Sequence, residues 1–206
     1  EGADAVAKGE GMAWADLAET RLFKPLGITQ TSARYADFLE RPDRAVLHIG
    51  GTGAWKPGPL RKPDAQAPAG GVSSSARDLS TWLRLELGNG SLGGEKVIDA
   101  AALAATHVPL MERGSNPVTG GASFYGRGWN VEFGRYGLQW GHAGAFSNGA
   151  RTLVSTLPER GIGIVVLSNA FPTGLPEGLA DSLFDLVFKG KVEKDWIGAW
   201  DKAYAG

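Results

Sequence analysis

In residues 162 to 167, Ile162-Gly163-Ile164-Val165-Val166-Leu167, every side chain other than that of glycine is apolar. A strand with apolar residues on both faces is stable where its sheet is covered on both sides. We therefore predict a central strand at 162–169, with a layer of structure on each face. The fold that contains this chain must supply both layers.

The segments before this strand predict an antiparallel meander, because alternating apolar and polar residues are separated by tight turns. Leucines at helical spacing predict a helix at about 176–188 that covers one face of the sheet. No second covering layer is evident, and the sheet is short of strands, which suggests that further sequence belongs to the fold. The other predicted strands are 125–133, 138–145 and 149–157.

The first half of the chain has a different pattern, mainly helical and irregular. Helical spacing predicts helices at 13–23, after Ser73 and at about 99–107, and a serine N-cap begins the second of these. Residues 28–69 are rich in proline and predict a long irregular excursion with short strands around Ala45 to Ile49. The predicted organisation is an inserted, partly helical region (1–121), the strands and covering helix of the sheet domain (122–190), and a linker or tail (191–206).

Composition excludes several classes of function. The chain has 21 Lys and Arg against 22 Asp and Glu, so no net field favours nucleic acid or an anionic membrane. It has no cysteine, which excludes disulfides and thiolate chemistry, and no apolar run is long enough for a membrane span. Residues 1–20 lack the basic start and apolar stretch of a leader, so we interpret the chain as a mature piece.

Four segments occur in the order found in serine hydrolases of the class C β-lactamase and penicillin-binding type, and the chain resembles that family from about residue 13 to 188. Each segment alone is weakly specific, but the ordered set is a strong signal. The segments are Leu22 to Ser32, Pro68 to Leu79, Tyr125 to Trp129 followed by Gly141-His142-Ala143-Gly144, and Leu157-Pro158 with Gly161 to Asn169.

The resemblance implies an α+β fold, an α/β sandwich of β-lactamase/transpeptidase type whose antiparallel sheet is flanked by helices and carries a partly helical inserted region. In that family the serine of S-x-x-K forms an acyl-enzyme, and the lysine with a Y-x-N tyrosine manages its proton. Neither motif occurs here. We therefore expect a fragment that lacks the N-terminal strands and the nucleophile helix, and is inactive alone. Val192 to Trp196 is similar to the linker that leads into a further small β domain in some members.

The resemblance also implies site residues. His142-Ala143-Gly144 matches the family's K-T-G or H-x-G strand, Gly144 would let substrate lie along it, and the amide of Ala145 would donate to the oxyanion. His142 would meet the serine–tyrosine proton network or a substrate carboxylate. Because lysine is common at this position in β-lactamases, histidine favours an ester or peptide substrate. Tyr125, Phe146 and Asn169 are pocket candidates.

Other interpretations of these residues stay open. His142 alone is typical of a solvated strand, and Tyr125, Phe146 and Asn169 are equally typical of packing or turn capping. Arg151 can pair an anionic substrate or lie exposed on its strand. His48 and His107 are expected at the surface or in packing, and the histidine spacing indicates no metal site. Ser147 is a rival nucleophile, but it lacks the G-x-S-x-G pattern and precedes a strand.

The sequence therefore predicts the C-terminal part of a serine acyl-transfer hydrolase, an esterase, D-amino-acid peptidase, carboxypeptidase or β-lactamase-like enzyme without a cofactor. Its expected partners are a small-molecule or peptide acyl substrate and the N-terminal part of the same protein, which is upstream sequence or a separate proteolytic product. The resemblance favours the periplasm or the cell exterior. The alternative is a non-catalytic, penicillin-binding-like protein that binds a ligand or a partner.

Overall fold

The computed structural model describes residues 1–51 and 54–205, and its centre is a six-stranded antiparallel sheet in the spatial order β10-β9-β8-β7-β6-β5. Short turns join most of the successive strands. The six strands are β5 Met111–Ser115, β6 Ala122–Tyr125, β7 Asn130–Gly134, β8 Gly137–Phe146, β9 Ala150–Leu157 and β10 Ile162–Ser168. Five short strands lie outside this sheet: β1 His48–Ile49, β2 Lys56–Pro57, β3 Ser91–Leu92, β4 Glu95–Lys96 and β11 Ala170–Phe171.

The helices lie mainly at the two ends of the chain and between the short strands. A π-helical turn at Glu19–Phe23 links the second and third helices. The helices are α1 Gly2–Gly9, α2 Trp14–Ala18, α3 Lys24–Leu26, α4 Tyr35–Glu40, α5 Ala67–Gly70, α6 Ala76–Leu87, α7 Ala100–Ala104, α8 Leu175–Lys189 and α9 Trp196–Ala205. Antiparallel sheet and flanking helices together give the predicted α+β fold.

The predicted helices after Ser73 and Asp99 begin at their side-chain caps. Ser75 accepts a hydrogen bond from the amide of Asp78, and Asp99 accepts from the amides of Ala101 and Ala102. Each cap satisfies amides that the first helical turn leaves without a partner. These local signals explain why both starts were predictable from sequence.

Helices pack on both faces of β10, α6 on one and α8 on the other, but the cover is incomplete, since no β10 residue is fully buried and Leu167 is 39% exposed. Gly163 permits the close approach of α6, since a Cβ there would lie 3.1 Å from Leu83 Cδ1. The prediction that this strand is central is wrong for the described residues. β10 is the last strand of the sheet, and no described strand pairs with its outer edge.

The predicted strand at 125–133 is wrong as a single element. Gly126 donates its amide to the Trp129 carbonyl at 2.7 Å, and this turn separates β6 from β7. A Cβ at Gly126 would lie 2.6 Å from the Thr106 carbonyl oxygen, so the turn packs closely on the loop before β5. β5 lies in a segment for which the sequence predicted no strand. The predicted domain boundary at 122 therefore falls inside this sheet, and the division of the chain into domains stays a prediction.

The segment predicted to be a linker or tail contains α9, which packs antiparallel on α8. Its aromatic residues donate hydrogen bonds to acidic residues that recur every fourth position on α8, a spacing that places each set on one helix face. The aromatic-acid ladder consists of Trp196 with Asp185 at 2.6 Å, Trp200 with Asp181 at 2.8 Å, and Tyr204 with Glu177 at 3.1 Å. A further β domain beyond it stays a prediction.

Asp185 has no exposed surface and is the most heavily bonded residue of this ladder. Burial alone would raise its pKa, but hydrogen bonds from Tyr136, the Glu193 amide, Trp196 and Arg135 outweigh burial and hold the pKa well below its usual range. The Asp185 carboxylate therefore stays charged. Its hydrogen bonds connect the β7–β8 turn and the start of α9 to α8.

We expect Asp185→Asn to lower the free energy of unfolding by roughly 1–3 kcal/mol at neutral pH, because a neutral amide weakens the buried hydrogen bonds from Arg135, Tyr136 and Trp196, although Arg135 keeps its pair with Asp181. The depressed pKa means that the stabilisation is present above the unfolded carboxyl pKa of about 3.9 and is lost as pH falls towards the folded pKa. Urea denaturation at several pH values measures the difference, which should shrink below about pH 4.

The control for this prediction is Lys62→Ala, which removes an exposed ion pair with Asp64 and should change stability little. If the two variants lowered the free energy of unfolding equally, the buried Asp185 carboxylate would contribute no more to stability than an exposed pair does.

Candidate functional site

The two edges of β8 are paired over different parts of the strand. β9 pairs with it from Trp140 to Phe146, whereas the pairing of β7 with β8 ends at Gly141. From His142 onward, no described strand covers the second edge of β8. The predicted H-x-G segment thus begins where this edge becomes free.

The amide of Ala145 points towards the free edge. Gly149 donates its amide to the Phe146 carbonyl at 2.9 Å, and Thr156 donates its hydroxyl to the Trp140 carbonyl at 3.2 Å, so the peptide groups of both β8 residues face β9. Peptide groups alternate between the two edges along a strand. The N–H of Ala145 consequently faces away from β9, where an incoming group can accept a hydrogen bond.

Gly144 has no side chain and therefore leaves a depression on the face of β8 that carries the side chains of His142 and Phe146. A Cβ at position 144 would lie 2.6 Å from Thr152 Oγ1 and 3.2 Å from Phe146 Cε2. Thr152, which lies opposite Gly144 on β9, was not singled out from the sequence. Only the register of the two strands could have pointed to it.

His142 and Tyr125 meet at the start of the free edge. The Tyr125 hydroxyl and His142 Nε2 are 3.4 Å apart, a long hydrogen bond, and their rings meet edge to face with centroids 6.2 Å apart. Desolvation by its surroundings lowers the pKa of His142, Arg113 lowers it further, and a hydrogen bond with the Ala143 backbone opposes the shift. The usual value is about 6.5, so the ring is mostly neutral at pH 7.

Asn169 does not lie with His142 and Ala145. Its side-chain nitrogen donates to the Val46 carbonyl at 2.6 Å and lies 3.3 Å from His48 Nδ1, while its backbone carbonyl accepts from the His48 amide at 2.8 Å. These bonds fasten the 46–49 segment beside β10. Asn169 thereby shapes the wall of the neighbouring cavity.

Two cavities flank the free part of β8. One, of about 490 Å³, is mainly apolar and includes Phe146, Leu167, Phe38 and Asn169 in its lining. The other, of about 500 Å³, lies between the sheet and helices α8 and α9 and is lined by many charged and polar side chains. We call it the polar cavity. Tyr125 and His142 border it, so both cavities reach the edge where the predicted site begins.

Two further sequence expectations concern charged residues. Arg151 is neither exposed nor free for a substrate, because it is 8% exposed and bonded to Glu177. His107 is a packing residue, since its ring stacks on Trp140 at 3.7 Å and its Nε2 lies 3.2 Å from a buried Glu86 carboxylate oxygen. Both arrangements depend on residues far apart in the sequence.

Metal and nucleophile candidates are few in the described residues. Within 1–51 and 54–205, no three His, Cys, Asp or Glu side chains are grouped so that they could hold a metal ion. Ser147 lies in the β8–β9 turn and is followed by a strand, unlike a nucleophile elbow. In the same described ranges, no helix has the length and apolar character needed to cross a bilayer.

Comparisons with known proteins agree with the fold. The profile of the Beta-lactamase family matches residues 3–187. A penicillin-binding protein 4 from Amycolatopsis lactamdurans is 29% identical over 187 residues, which are 87% of this chain and 45% of that protein. The chain thus spans less than half the length of this curated relative.

Solved structures share the fold. The octameric penicillin-binding protein homologue from Pyrococcus abyssi superposes with a TM-score of 0.75 at 21% identity, over 90% of this chain and 40% of that one. A D-stereospecific amidohydrolase from Streptomyces sp. gives 0.63 at 20% identity, over 88% and 50% of the two chains. The D-alanine carboxypeptidase AmpC from Burkholderia cenocepacia gives 0.58 at 22%, over 80% and 52%.

We expect Gly144→Ala to lower the free energy of unfolding by about 1–3 kcal/mol, because the added methyl group overpacks the contact with Thr152 and Phe146. It should also move the amide NMR signals of those two residues. The control Gly9→Ala makes the same change where no atom lies within 4 Å of the new Cβ. Unchanged stability and unchanged signals in Gly144→Ala would show that Gly144 is not sterically required.

Proposed function

Because the chain belongs to the Beta-lactamase family, we propose that it is part of a serine acyl-transfer hydrolase whose nucleophile lies upstream of Glu1. The chain has neither S-x-x-K nor Y-x-N, and it spans half or less of the length of most of the relatives named above. The proposed substrates are esters, D-amino-acid peptides or β-lactams. The observation that carries the proposal is the free edge of β8 with the Ala145 amide facing it.

In this proposal the Ala145 amide is one donor of the oxyanion hole, and the amide of the upstream nucleophile is the other. A carbonyl attacked by serine develops negative charge on its oxygen, and a fixed N–H stabilises that charge without reorganisation. Removing one such donor typically costs about 2.7–4 kcal/mol in the transition state. Gly144 leaves room for substrate backbone along the same edge.

His142 is proposed to act as a neutral partner of the proton network. Its Nε2 can exchange a hydrogen bond with the Tyr125 hydroxyl, and the lowered pKa keeps the ring uncharged at neutral pH. A neutral imidazole accepts or relays a proton but does not attract a substrate carboxylate as a lysine does. This difference favours neutral ester or amide substrates over β-lactams.

Phe146 and Asn169 are proposed to shape the acyl pocket from the apolar cavity. Phe146 supplies an apolar wall, and Asn169 acts indirectly by holding the 46–49 segment. Tyr125 borders the polar side of the site.

The N-terminal part of the same protein is proposed to complete the fold at two places. The outer edge of β10 has no strand partner among the described residues, although its sequence is typical of a central strand. The apolar cavity beside Phe146 and Leu167 offers a surface for the nucleophile segment. We further propose a periplasmic or secreted location.

The test compares the longer protein, which includes the upstream sequence, with residues 1–206 alone. The longer protein should hydrolyse at least one of an activated ester, a D-amino-acid peptide and a β-lactam reporter, whereas residues 1–206 should hydrolyse none. A longer protein that binds these compounds without hydrolysing any of them would overturn the proposal in favour of a non-catalytic binding protein.

We expect His142→Lys in the longer protein to shift specificity towards a β-lactam that carries a carboxylate. The ratio of its kcat/KM to that of a neutral ester should rise about two- to fivefold at pH 7, since an exposed ion pair contributes up to about 1 kcal/mol. In the wild type the same shift should occur only on acidification, because the lowered pKa means that His142 takes up a proton only below its usual range.

The matched control is His142→Gln, which removes the imidazole without adding charge and should not raise that ratio. Steady-state kinetics at low and high salt separate the charge effect, because salt screens an exposed pair. If lysine and glutamine give the same ratio, the charge at position 142 does not set substrate preference.

A further inference from the structure

Arg151 lies directly across from Ala145 in the pairing of β9 with β8. The two residues are cross-strand neighbours on one face of the sheet, the face that α8 and α9 cover. Arg151 is 8% exposed. A buried guanidinium is tolerated only when other groups neutralise its charge and accept its hydrogen bonds. The groups that bond Arg151 therefore restrict the position of the β8–β9 hairpin near Ala145.

Glu177 of α8 and Tyr204 of α9 hold Arg151 in place. Arg151 donates through Nε to Glu177 Oε1 at 3.0 Å and through Nη2 to the same oxygen, and Tyr204 donates its hydroxyl to that oxygen at 3.1 Å. The guanidinium carbon lies 4.2 Å from the centre of the Tyr204 ring, a cation–π geometry. Three donors therefore converge on one carboxylate oxygen.

The Tyr204 hydroxyl keeps its proton in this arrangement. Burial raises the pKa of Tyr204, and Glu177 raises it further against the opposing effect of Arg151. A protonated hydroxyl can donate to Glu177 throughout the neutral pH range. Tyr204 thus remains a hydrogen-bond donor to Glu177 at neutral pH.

The register of α9 places Tyr204 where it meets this pair. Trp196 and Trp200 bond to Asp185 and Asp181 at the other two positions of the aromatic-acid ladder. Because the two helices are antiparallel, the C-terminal end of α9 reaches the start of α8, next to Arg151. The docking of α9 and the location of the β8–β9 hairpin end are therefore linked through direct contacts.

We propose that α9 positions the oxyanion amide of Ala145 through Tyr204, Glu177 and Arg151. These three are positioning residues, since their side chains bond to one another on the face of the sheet that α8 and α9 cover. The inference rests on the proposed function for its catalytic consequence, but the positioning itself is a property of the chain. Misplacing catalytic groups by about 1 Å can cost up to about 100-fold in rate, so a small movement of the hairpin would matter.

The first arm of the test uses residues 1–206 labelled with nitrogen-15 and does not depend on activity. Tyr204→Phe removes one hydroxyl that bonds a buried acid of α8. The matched control Tyr136→Phe also removes one hydroxyl that bonds a buried acid of α8, Asp185 at 2.6 Å, but at the opposite end of β8. We expect the Ala145 and Phe146 amide signals to shift more in Tyr204→Phe than in Tyr136→Phe.

Equal or smaller shifts in Tyr204→Phe would overturn the inference. Arg151→Lys provides a second variant that keeps the charge but loses the paired donors and the stacking, and it should move the same two amide signals. Thermal unfolding of all three variants tests whether each of them is folded. If the Ala145 and Phe146 amide signals shift only in a variant that no longer unfolds cooperatively, the result counts against the inference.

The second arm measures kcat and KM of the longer protein with an activated ester. Tyr204→Phe and Arg151→Lys should lower kcat by up to about 100-fold with little change in KM, while Tyr136→Phe should leave both unchanged. Normal kcat in the first two variants would overturn the inference and leave the proposed function standing. An inactive wild type would overturn the proposed function, and the NMR shifts would then decide the positioning alone.

Discussion

The unequal pairing of β8 is the constraint on which the site depends. β8 has ten residues and β7 has five, so the tight turn that joins them leaves the second half of β8 without a partner on that side. Pairing with β9 continues to Phe146 and keeps this half within the sheet. A free strand edge is usually a liability, and a site that binds substrate backbone is one situation in which it serves a purpose.

A network of bonded, buried charges lies on the other side of the same sheet. Asp185, Asp181 and Glu177 are all less than 10% exposed, and each accepts hydrogen bonds from an aromatic residue of α9 and from an arginine of the sheet or its turns. Buried charges are costly unless all of them are bonded, so the network favours one arrangement of α8, α9 and the sheet. Through Tyr204 and Glu177, α9 is thereby linked to Arg151 of β9, the strand that pairs with the second half of β8.

Elements with strong local patterns were predictable from the sequence. The strand at 162–168 and the helix at 175–189 differ by a residue or so from the predicted 162–169 and 176–188, because apolar periodicity and turn residues define both. The strand predicted at 125–133 failed because a Gly126-Arg127-Gly128 turn interrupts it. Those glycines were a usable signal for a break.

Features that depend on distant residues could not be predicted from local pattern. The burial of Arg151 requires Glu177, which is 26 positions away, and the fixing of Asn169 requires Val46, which is 123 positions away. The helix α9 was missed although Trp196, Trp200 and Tyr204 recur at helical spacing. The positions of His142 and Ala145 came from an ordered set of motifs, and their chemical roles remain proposals.

The most direct test of the central claim is to treat the longer protein with a fluorophosphonate probe and to map the labelled peptide by mass spectrometry. We expect a single labelled serine upstream of Glu1, and no labelling of residues 1–206 expressed alone. A label on a serine within these residues, Ser147 included, would contradict the claim that this chain supplies the oxyanion strand and not the nucleophile.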